Sequence, residues 1–307
     1  MDWNSTEIAG LIERTLNEDV GSGDVTVAAT IAPHANGEAR IVARQPLVCV
    51  GLPLAQMVFQ KLDPEMRLEL KVNEGELVAK GTVLAHLSGK AAAILTGERT
   101  ALNFLGHLSG IATLTHKFVD ELKGTSAKIR DTRKTTPGLR TLEKYAVLMG
   151  GGTNHRIGLY DAVLLKENHI ALAGGVKTAL DQAHAYASSR MNPRAMTAYE
   201  AVGAKGGPGE AAGLSIQIEV RNEAELREAL SAGAESVLLD NMSPEQARQC
   251  VTIARIVQAS CVVEISGGIT LENARAYALT GADYLSSGAL THSARAANVS
   301  LLVDSIE

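Results

Sequence analysis

The stretch Ser236-Val-Leu-Leu-Asp-Asn-Met-Ser-Pro-Glu-Gln-Ala-Arg-Gln-Cys-Val-Thr-Ile-Ala-Arg-Ile-Val257, followed by Val262-Val-Glu-Ile265, reads as strand, helix, strand. A short apolar run ends in a carboxylate, a helical run covers 243–257, and a second apolar run begins at once. Strands alternating with helices imply parallel βα units. The same rhythm places strands at 127–131, 162–166, 215–220 and 283–287, with further helical runs at 222–231 and 271–279. The last four strands start about 20 to 25 residues apart, which suits one strand, one helix and two loops. The pattern predicts an α/β barrel, incomplete because six or seven strands can be found instead of eight. Residues 190–213 interrupt the rhythm with a Gly/Pro-rich stretch (Gly203, Gly206, Gly207, Pro208, Gly209) that reads as a mobile surface loop.

Barrel enzymes carry their chemistry at the C-terminal ends of the strands, and each strand here ends in something reactive. The first runs into Asp131-Thr-Arg-Lys-Thr-Thr-Pro-Gly-Leu-Arg140, a turn crowded with cations and hydroxyls. The second ends in Lys166 and continues into Glu167, Asn168 and His169. The third and fourth end in Glu219 and Asp240. The fifth runs into Ser266-Gly267-Gly268 and the sixth into Ser287-Gly288-Ala289. A lone charge after an apolar run is usually where the chain meets water, but barrel topology brings all six ends to one mouth. Arg133, Lys134, Arg156 and Lys166 suit a polyanionic ligand. Glu219 and Asp240 suit hydroxyls or Mg²⁺, which takes one or two carboxylates together with substrate phosphates. The two late Gly loops allow close backbone approach to a phosphate. Between the first two strands, glycines flank Asn154, His155 and Arg156, where Arg156 would clamp a carboxylate and His155 add a second donor or serve as a core histidine.

Upstream, residues 4–17 read as an acidic amphipathic helix with Ser5 or Thr6 as N-cap. Val72 to Gly81 places a turn between strand-like runs, like the hairpin of a biotinyl or lipoyl carrier domain but without a lysine at its tip, hence a structural β-layer. Residues 91–123 form a long helical region interrupted by Gly106 and Gly110, apolar nearly all round. Arg99, Asn103 and His107 make a polar stripe on it, and a buried Arg99 needs an anionic partner, from the fold or from a ligand.

Composition narrows the function. The chain has 307 residues, 46% hydrophobic, 3% aromatic, with a net charge of −5. Few aromatics and negative charge disfavour nucleic-acid and anionic-membrane binding. Three scattered cysteines (Cys49, Cys250, Cys261) read as buried thiols in a reducing compartment. No apolar stretch approaches the roughly 18 residues of a membrane span, so a soluble, cytoplasmic protein is expected. No His/Cys metal spacing, Ser-His-Asp arrangement or P-loop ending is present.

GDVT (23–26), ERTALNFLGHLSGIAT (98–113), DTRKTTPGLR (131–140), EKYAV (143–147), GGGTNHRIGLYDAVLLKENH (150–169), LLDN (238–241), SGG (266–268) and GALTHSA (288–294) occur in that order. Together they closely resemble the quinolinate phosphoribosyltransferases, over nearly the full length. The resemblance implies transfer of phosphoribose from phosphoribosyl pyrophosphate (PRPP) to quinolinate with loss of CO₂, giving nicotinate mononucleotide for NAD synthesis. It implies an N-terminal α/β sandwich domain over 1–125, an incomplete barrel over 126–294, and a C-terminal helix at 295–307 that packs back on the first domain. It implies a homodimer, or a multiple of one, whose mouth is completed by a neighbour, with Arg99 reaching across. By resemblance, Arg99, Arg133, His155, Arg156 and Lys166 surround the quinolinate carboxylates, and Lys134 and Lys166 lie near the PRPP oxygens. Glu219 and Asp240 hold ribose hydroxyls and Mg²⁺; with the two lysines they form the catalytic set. Ser266, Gly267, Gly268, Ser287, Gly288 and His292 bind the 5′-phosphate, and Thr132 and Ala289 complete the substrate-binding set. Two alternatives remain open: a related phosphoribosyltransferase acting on another heterocycle, and a non-enzymatic phosphoribosyl-binding protein.

Overall fold

The structure, a computed structural model, describes residues 1–189 and 214–307; the Gly/Pro-rich loop expected at 190–213 lies outside them. Two compact units emerge, Met1–Leu114 with Ala294–Glu307, and Thr115–Ser293. Among the described residues no helix is long and apolar enough to cross a membrane.

The first unit opens with α1 (Thr6–Val20), whose N-cap Ser5 accepts the Ile8 N–H and whose buried face is Ile8, Ile12 and Leu16. A short α2 (Val25–Thr30) is capped by Asp24, which accepts from Thr26 and Val27. Then come β1 (Asn36–Ala43), β2 (Leu47–Cys49), α3 (Leu52–Leu62), β3 (Arg67–Leu70), β4 (Glu76–Val78), β5 (Val83–Lys90) and α4 (Ala91–Glu121). The last strand of the chain, β12 (Val299–Ile306), returns to complete a four-stranded sheet in the order β12-β1-β5-β3. The tail is therefore a strand, not the expected helix. Its β-branched and aliphatic residues pair antiparallel with β1 from Ala43↔Val299 to Gly37↔Ile306, and Arg40 meets Asp304 at 2.9 Å. The stretch around Gly75 is a structural β-layer, in which β3 pairs with β5 and β4 with β2. The three cysteines are free and buried.

Helix α4 corrects two further expectations. It runs without a break through Gly106 and Gly110. These glycines serve close approach: a Cβ at Gly110 would overlap the Arg295 carbonyl, and Ala297 donates its N–H to Gly106 O at 2.8 Å. The polar stripe is not buried, because Arg99 and Asn103 are exposed and His107 half-buried. The boundary between the two units falls inside α4, earlier than residue 125.

The second unit alternates strand and helix: β6 (Lys128–Arg130), α5 (Arg140–Met149), β7 (Val163–Leu165), α6 (Glu167–Ala173), α7 (Val176–Ser188), β8 (Ile216–Val220), α8 (Glu223–Ser231), β9 (Ser236–Asp240), α9 (Pro244–Val257), β10 (Val262–Ser266), α10 (Leu271–Ala278), β11 (Tyr284–Ser286) and α11 (Ala289–His292). The described strands form one six-stranded parallel sheet in the order β6-β11-β10-β9-β8-β7. Strands β6 and β7 do not pair; Thr153 bridges to Arg130 between them. This is an incomplete α/β barrel, with six strands among the described residues. Helix starts are fixed locally. Pro244 opens α9 behind a Ser243/Gln246 capping box, and Asn222 caps α8. One face of the strands is dry, with Ile218, Val237, Leu239, Val263, Ile265 and Leu285 fully buried. The other face carries Arg130, Gln217, Glu264 and Ser286, which bond to one another.

Candidate active site

Because the sheet is parallel, the C-terminal strand ends share one side. Asp240, Ser266, Ser286 and Arg130 are successive register partners across β9, β10, β11 and β6. The register thus aligns the C-terminal ends of β9, β10, β11 and β6 along one edge of the sheet.

The turn after β6 divides its roles by depth. Asp131 is fully buried and does not line the mouth. It meets the equally buried Lys144 of α5 at 2.5 Å and accepts the His155 N–H at 2.8 Å. Burial pushes its carboxyl up to about 6, against the downward pull of Lys144 and the His155 N–H. Thus anchored, the turn lifts Arg133 and Lys134 into solvent. Lys134 N–H donates to Thr132 Oγ1 at 3.0 Å, and Thr291 Oγ1 donates to the Lys134 carbonyl at 2.7 Å. The Lys134 stem and His292 flank Gly288 so closely that a Cβ there would lie 2.9 Å and 3.1 Å from them. Lys134, Gly288, Ala289 and His292 are thus one cluster.

In the segment before β7, Asp161 accepts the N–H groups of Ile157 and Gly158 at 2.6 and 2.8 Å and folds the chain back on itself. Arg156, only 8% exposed, donates Nη1 to the Ala162 carbonyl at 3.0 Å, while its buried Nε has no partner among the described residues. Burial, then the nearby Arg133 charge, holds its pKa below the ordinary arginine value, against Asp161. A largely desolvated guanidinium close enough to feel a second cation is the kind of group that pairs with carboxylates. For His155 the bonds match the second of its two readings, a histidine satisfied within the fold. Its Nδ1 accepts the Arg156 N–H at 2.8 Å and its Nε2 meets Gln217 Oε1 at 3.2 Å. Both ring nitrogens are taken, so neither is open to a substrate carboxylate while these bonds stand.

The carboxylates stand on β8 and β9. Glu219 pairs directly with Lys166. Asp240 Oδ2 accepts from Asn241 Nδ2 at 2.8 Å. Asn241, the one described non-glycine with positive φ (54°), also donates its N–H to Ser266 O at 2.9 Å. Its side-chain oxygen occupies the place where a Cβ of Gly267 (φ 95°) would sit, so only glycine fits that turn. Ser287 turns its hydroxyl inward to Ile269 O at 2.8 Å, leaving Gly288 and Ala289 rather than that hydroxyl to face a ligand. Among the described residues no three His, Cys, Asp or Glu gather as a metal cluster.

Sequence reasoning missed the supporting polar members: the buried Lys144 and Glu264, and the half-buried Arg130 and Gln217. A signal existed for Glu264, a carboxylate in the middle of the apolar run Val262-Val-Glu-Ile265. Arg99 lies in the first unit.

Two family models cover the chain: Quinolinate phosphoribosyl transferase, N-terminal domain, over residues 24–109, and its C-terminal domain over 111–200 and 208–302. The chain is 39% identical over 298 residues to the probable nicotinate-nucleotide pyrophosphorylase (carboxylating) of Bacillus subtilis, covering 97% of this chain and 94% of that one. It is also 39% identical over 293 residues to the nicotinate-nucleotide pyrophosphorylase (carboxylating) of Mycobacterium leprae, covering 94% and 95%. The nicotinate-nucleotide pyrophosphorylase structure from Francisella tularensis superposes with a TM-score of 0.85 at 36% identity, covering 97% of this chain and 96% of that one. Matched in both its parts and along nearly its whole length, this chain belongs to the quinolinate phosphoribosyltransferase family.

Proposed function

We propose that the protein transfers phosphoribose from PRPP to quinolinate with decarboxylation, yielding nicotinate mononucleotide, pyrophosphate and CO₂ for NAD synthesis. Beside the family relationship, one observation supports this reading: Arg156 is buried with an unpartnered Nε and feels the Arg133 charge, and the same unit carries Glu219 and Asp240 at the C-terminal ends of β8 and β9. A dicarboxylate belongs at the first pair and a hydroxylated, phosphorylated donor beside the second.

In this reading Arg133 and Arg156 hold the quinolinate carboxylates and aim the ring nitrogen at ribose C1. The bond to C1 forms as the C1–pyrophosphate bond breaks, through a transition state with positive charge on the ribose. Lys134 and Lys166 would neutralise the departing oxygens. Glu219 and Asp240 each keep one oxygen for ribose hydroxyls. The C2 carboxylate then leaves as CO₂, its electron pair stabilised by the cationic ring nitrogen until C2 takes a proton. Gly267, Gly268, Gly288 and Ala289, with Ser266, Ser287 and His292, form the 5′-phosphate cradle, Ser287 through its backbone. Thr132 shapes the turn under Lys134. The donor set also suits Mg²⁺, for which Glu219 and Asp240 offer hard oxygens beside substrate phosphates; the ion would offset the charge of the leaving pyrophosphate. The test is PRPP-dependent CO₂ release from quinolinate, with nicotinate in parallel. Release from quinolinate, no product from nicotinate and loss of activity on chelation are the expected results. Product from nicotinate, or no PRPP-dependent CO₂, overturns the reading.

Arg99 enters the proposal through a second copy. It is exposed on α4, so it is available to a neighbour's quinolinate in a homodimer with shared sites, working in the cytoplasm. Mixing Arg99→Ala with Lys134→Ala subunits should then restore about half of wild-type activity per heterodimer, because one of its two sites is intact. Verified heterodimers without activity overturn the shared site.

A further inference from the structure

Beneath the mouth lies a polar chain, gathered on a buried carboxylate, that the chemistry above does not use. Glu264 is fully buried in the middle of β10. A carboxylate in such a place costs free energy unless donors surround it, and they do. Arg130 Nη1 donates to its Oε2 at 2.9 Å, Gln217 Nε2 donates to the same oxygen at 3.0 Å, and Ser286 Oγ donates to Oε1. The Arg130 guanidinium also stacks on the Tyr284 ring, 3.4 Å from its centre.

The direction of these bonds determines what they do. Gln217 spends its amide N–H on Glu264, so its oxygen is the group that faces His155 Nε2 at 3.2 Å. That oxygen accepts, so His155 Nε2 carries the proton. At the other ring nitrogen the Arg156 N–H donates to Nδ1 at 2.8 Å, which requires Nδ1 to be bare. The two ends agree on one neutral tautomer. Burial lowers the imidazole's pKa below its ordinary value, against the pull of Glu264. The charged groups around His155 are Glu264 at 3.7 Å from Nε2, Arg130 beside Glu264, and the Asp131–Lys144 pair, which bonds its main chain. His155 is therefore held at four points: main-chain N–H, carbonyl and both ring nitrogens.

We propose that Glu264 is a positioning residue for quinolinate, acting through Gln217 and the neutral ring of His155 on the backbone of Arg156. The inference rests on the reading that Arg156 meets the quinolinate carboxylates.

Gln217→Met tests it. Methionine keeps the length and removes both hydrogen bonds, leaving the Arg130–Glu264 pair and Ser286 in place. The expected result is a quinolinate KM raised about tenfold, the order of one or two lost hydrogen bonds, with the KM for PRPP within twofold of wild type. A purely structural role would instead lower the melting temperature with both KM values unchanged or raised together, and that outcome overturns the proposal. A second comparison covers a Gln217→Met protein that fails to fold. His155→Asn places an acceptor where Nδ1 was, whereas His155→Gln retains only the Nε2 position. The proposal expects His155→Asn to keep the lower quinolinate KM of the two; the reverse order marks direct substrate contact through Nε2 and overturns it. Arg156→Ala run alongside separates the two levels. A normal quinolinate KM in Arg156→Ala removes the site reading itself, whereas a defect there with none in Gln217→Met removes only the positioning role.

Discussion

Arg156→Ala lowers kcat/KM for quinolinate by about a thousandfold while the variant still folds. The magnitude follows from what the guanidinium would do. It is nearly desolvated, its Nε has no partner among the described residues, and Arg133 stands beside it. A substrate carboxylate removes that uncompensated charge on binding, and breaking such a desolvated pair costs about 3–5 kcal/mol. At about 1.4 kcal/mol per factor of ten, the middle of that range is roughly three orders of magnitude. Folding tolerates the loss because the Arg156 side chain gives the loop only its bond to Ala162 O, while Asp161 holds the turn through the Ile157 and Gly158 N–H groups. Arg156→Lys should recover only part of the activity, since an ammonium restores charge but not the planar fork. The measurement is kcat/KM for quinolinate beside a thermal melt. Activity within tenfold of wild type in Arg156→Ala would mean that the carboxylates bind elsewhere.

The barrel could be read from the sequence because each buried strand is a short apolar run with a polar residue where it meets solvent. That signal is local, and 236–240 or 162–166 carries it unaided. Partnership between distant segments is not local. The tail 295–307 acquires its identity from β1, with which Val299–Ile306 pairs, and nothing within those residues distinguishes an edge strand from a short helix. Gly106 and Gly110 look like helix breakers until the returning Arg295–Ala297 segment is laid against them. At the site, residues that end strands or occupy Gly-bounded loops stood out. Those that support them did not, because a charge inside a helix such as Lys144 is usually solvated, and its burial is visible only once Asp131 is beside it. His155 shows the converse: its setting between glycines suggested a ligand-facing donor, and the partners that occupy its ring come from β8 and from its own neighbour.

Lys144→Met should destabilise the protein by about 3–5 kcal/mol, the cost of leaving one member of a buried pair alone, and the deficit should depend on pH in a definite sense. The Asp131 carboxyl in the folded protein has been raised from 3.8 to about 6. Between those pH values the folded state holds a proton that the unfolded chain has released. The stability from this group is thus fully present below pH 3.8 and is lost as pH rises through about 6. Lys144 is one of the groups pulling that pKa down, so removing it moves the folded value higher still. Below about pH 6 Asp131 is protonated in both folded proteins and the gap between them stays constant. Above it, the wild-type carboxyl ionises against Lys144 and its loss stops, whereas the variant continues to lose stability. The gap in unfolding free energy from denaturant titrations should therefore be wider at pH 7 than at pH 5, by about 1 kcal/mol. Adding Asp131→Asn to Lys144→Met should recover most of the deficit, because the amide oxygen still accepts the His155 N–H and no buried charge remains. An equal gap at both pH values, or a double variant no more stable than Lys144→Met, would show that the turn below Arg133 and Lys134 is not anchored by this ion pair.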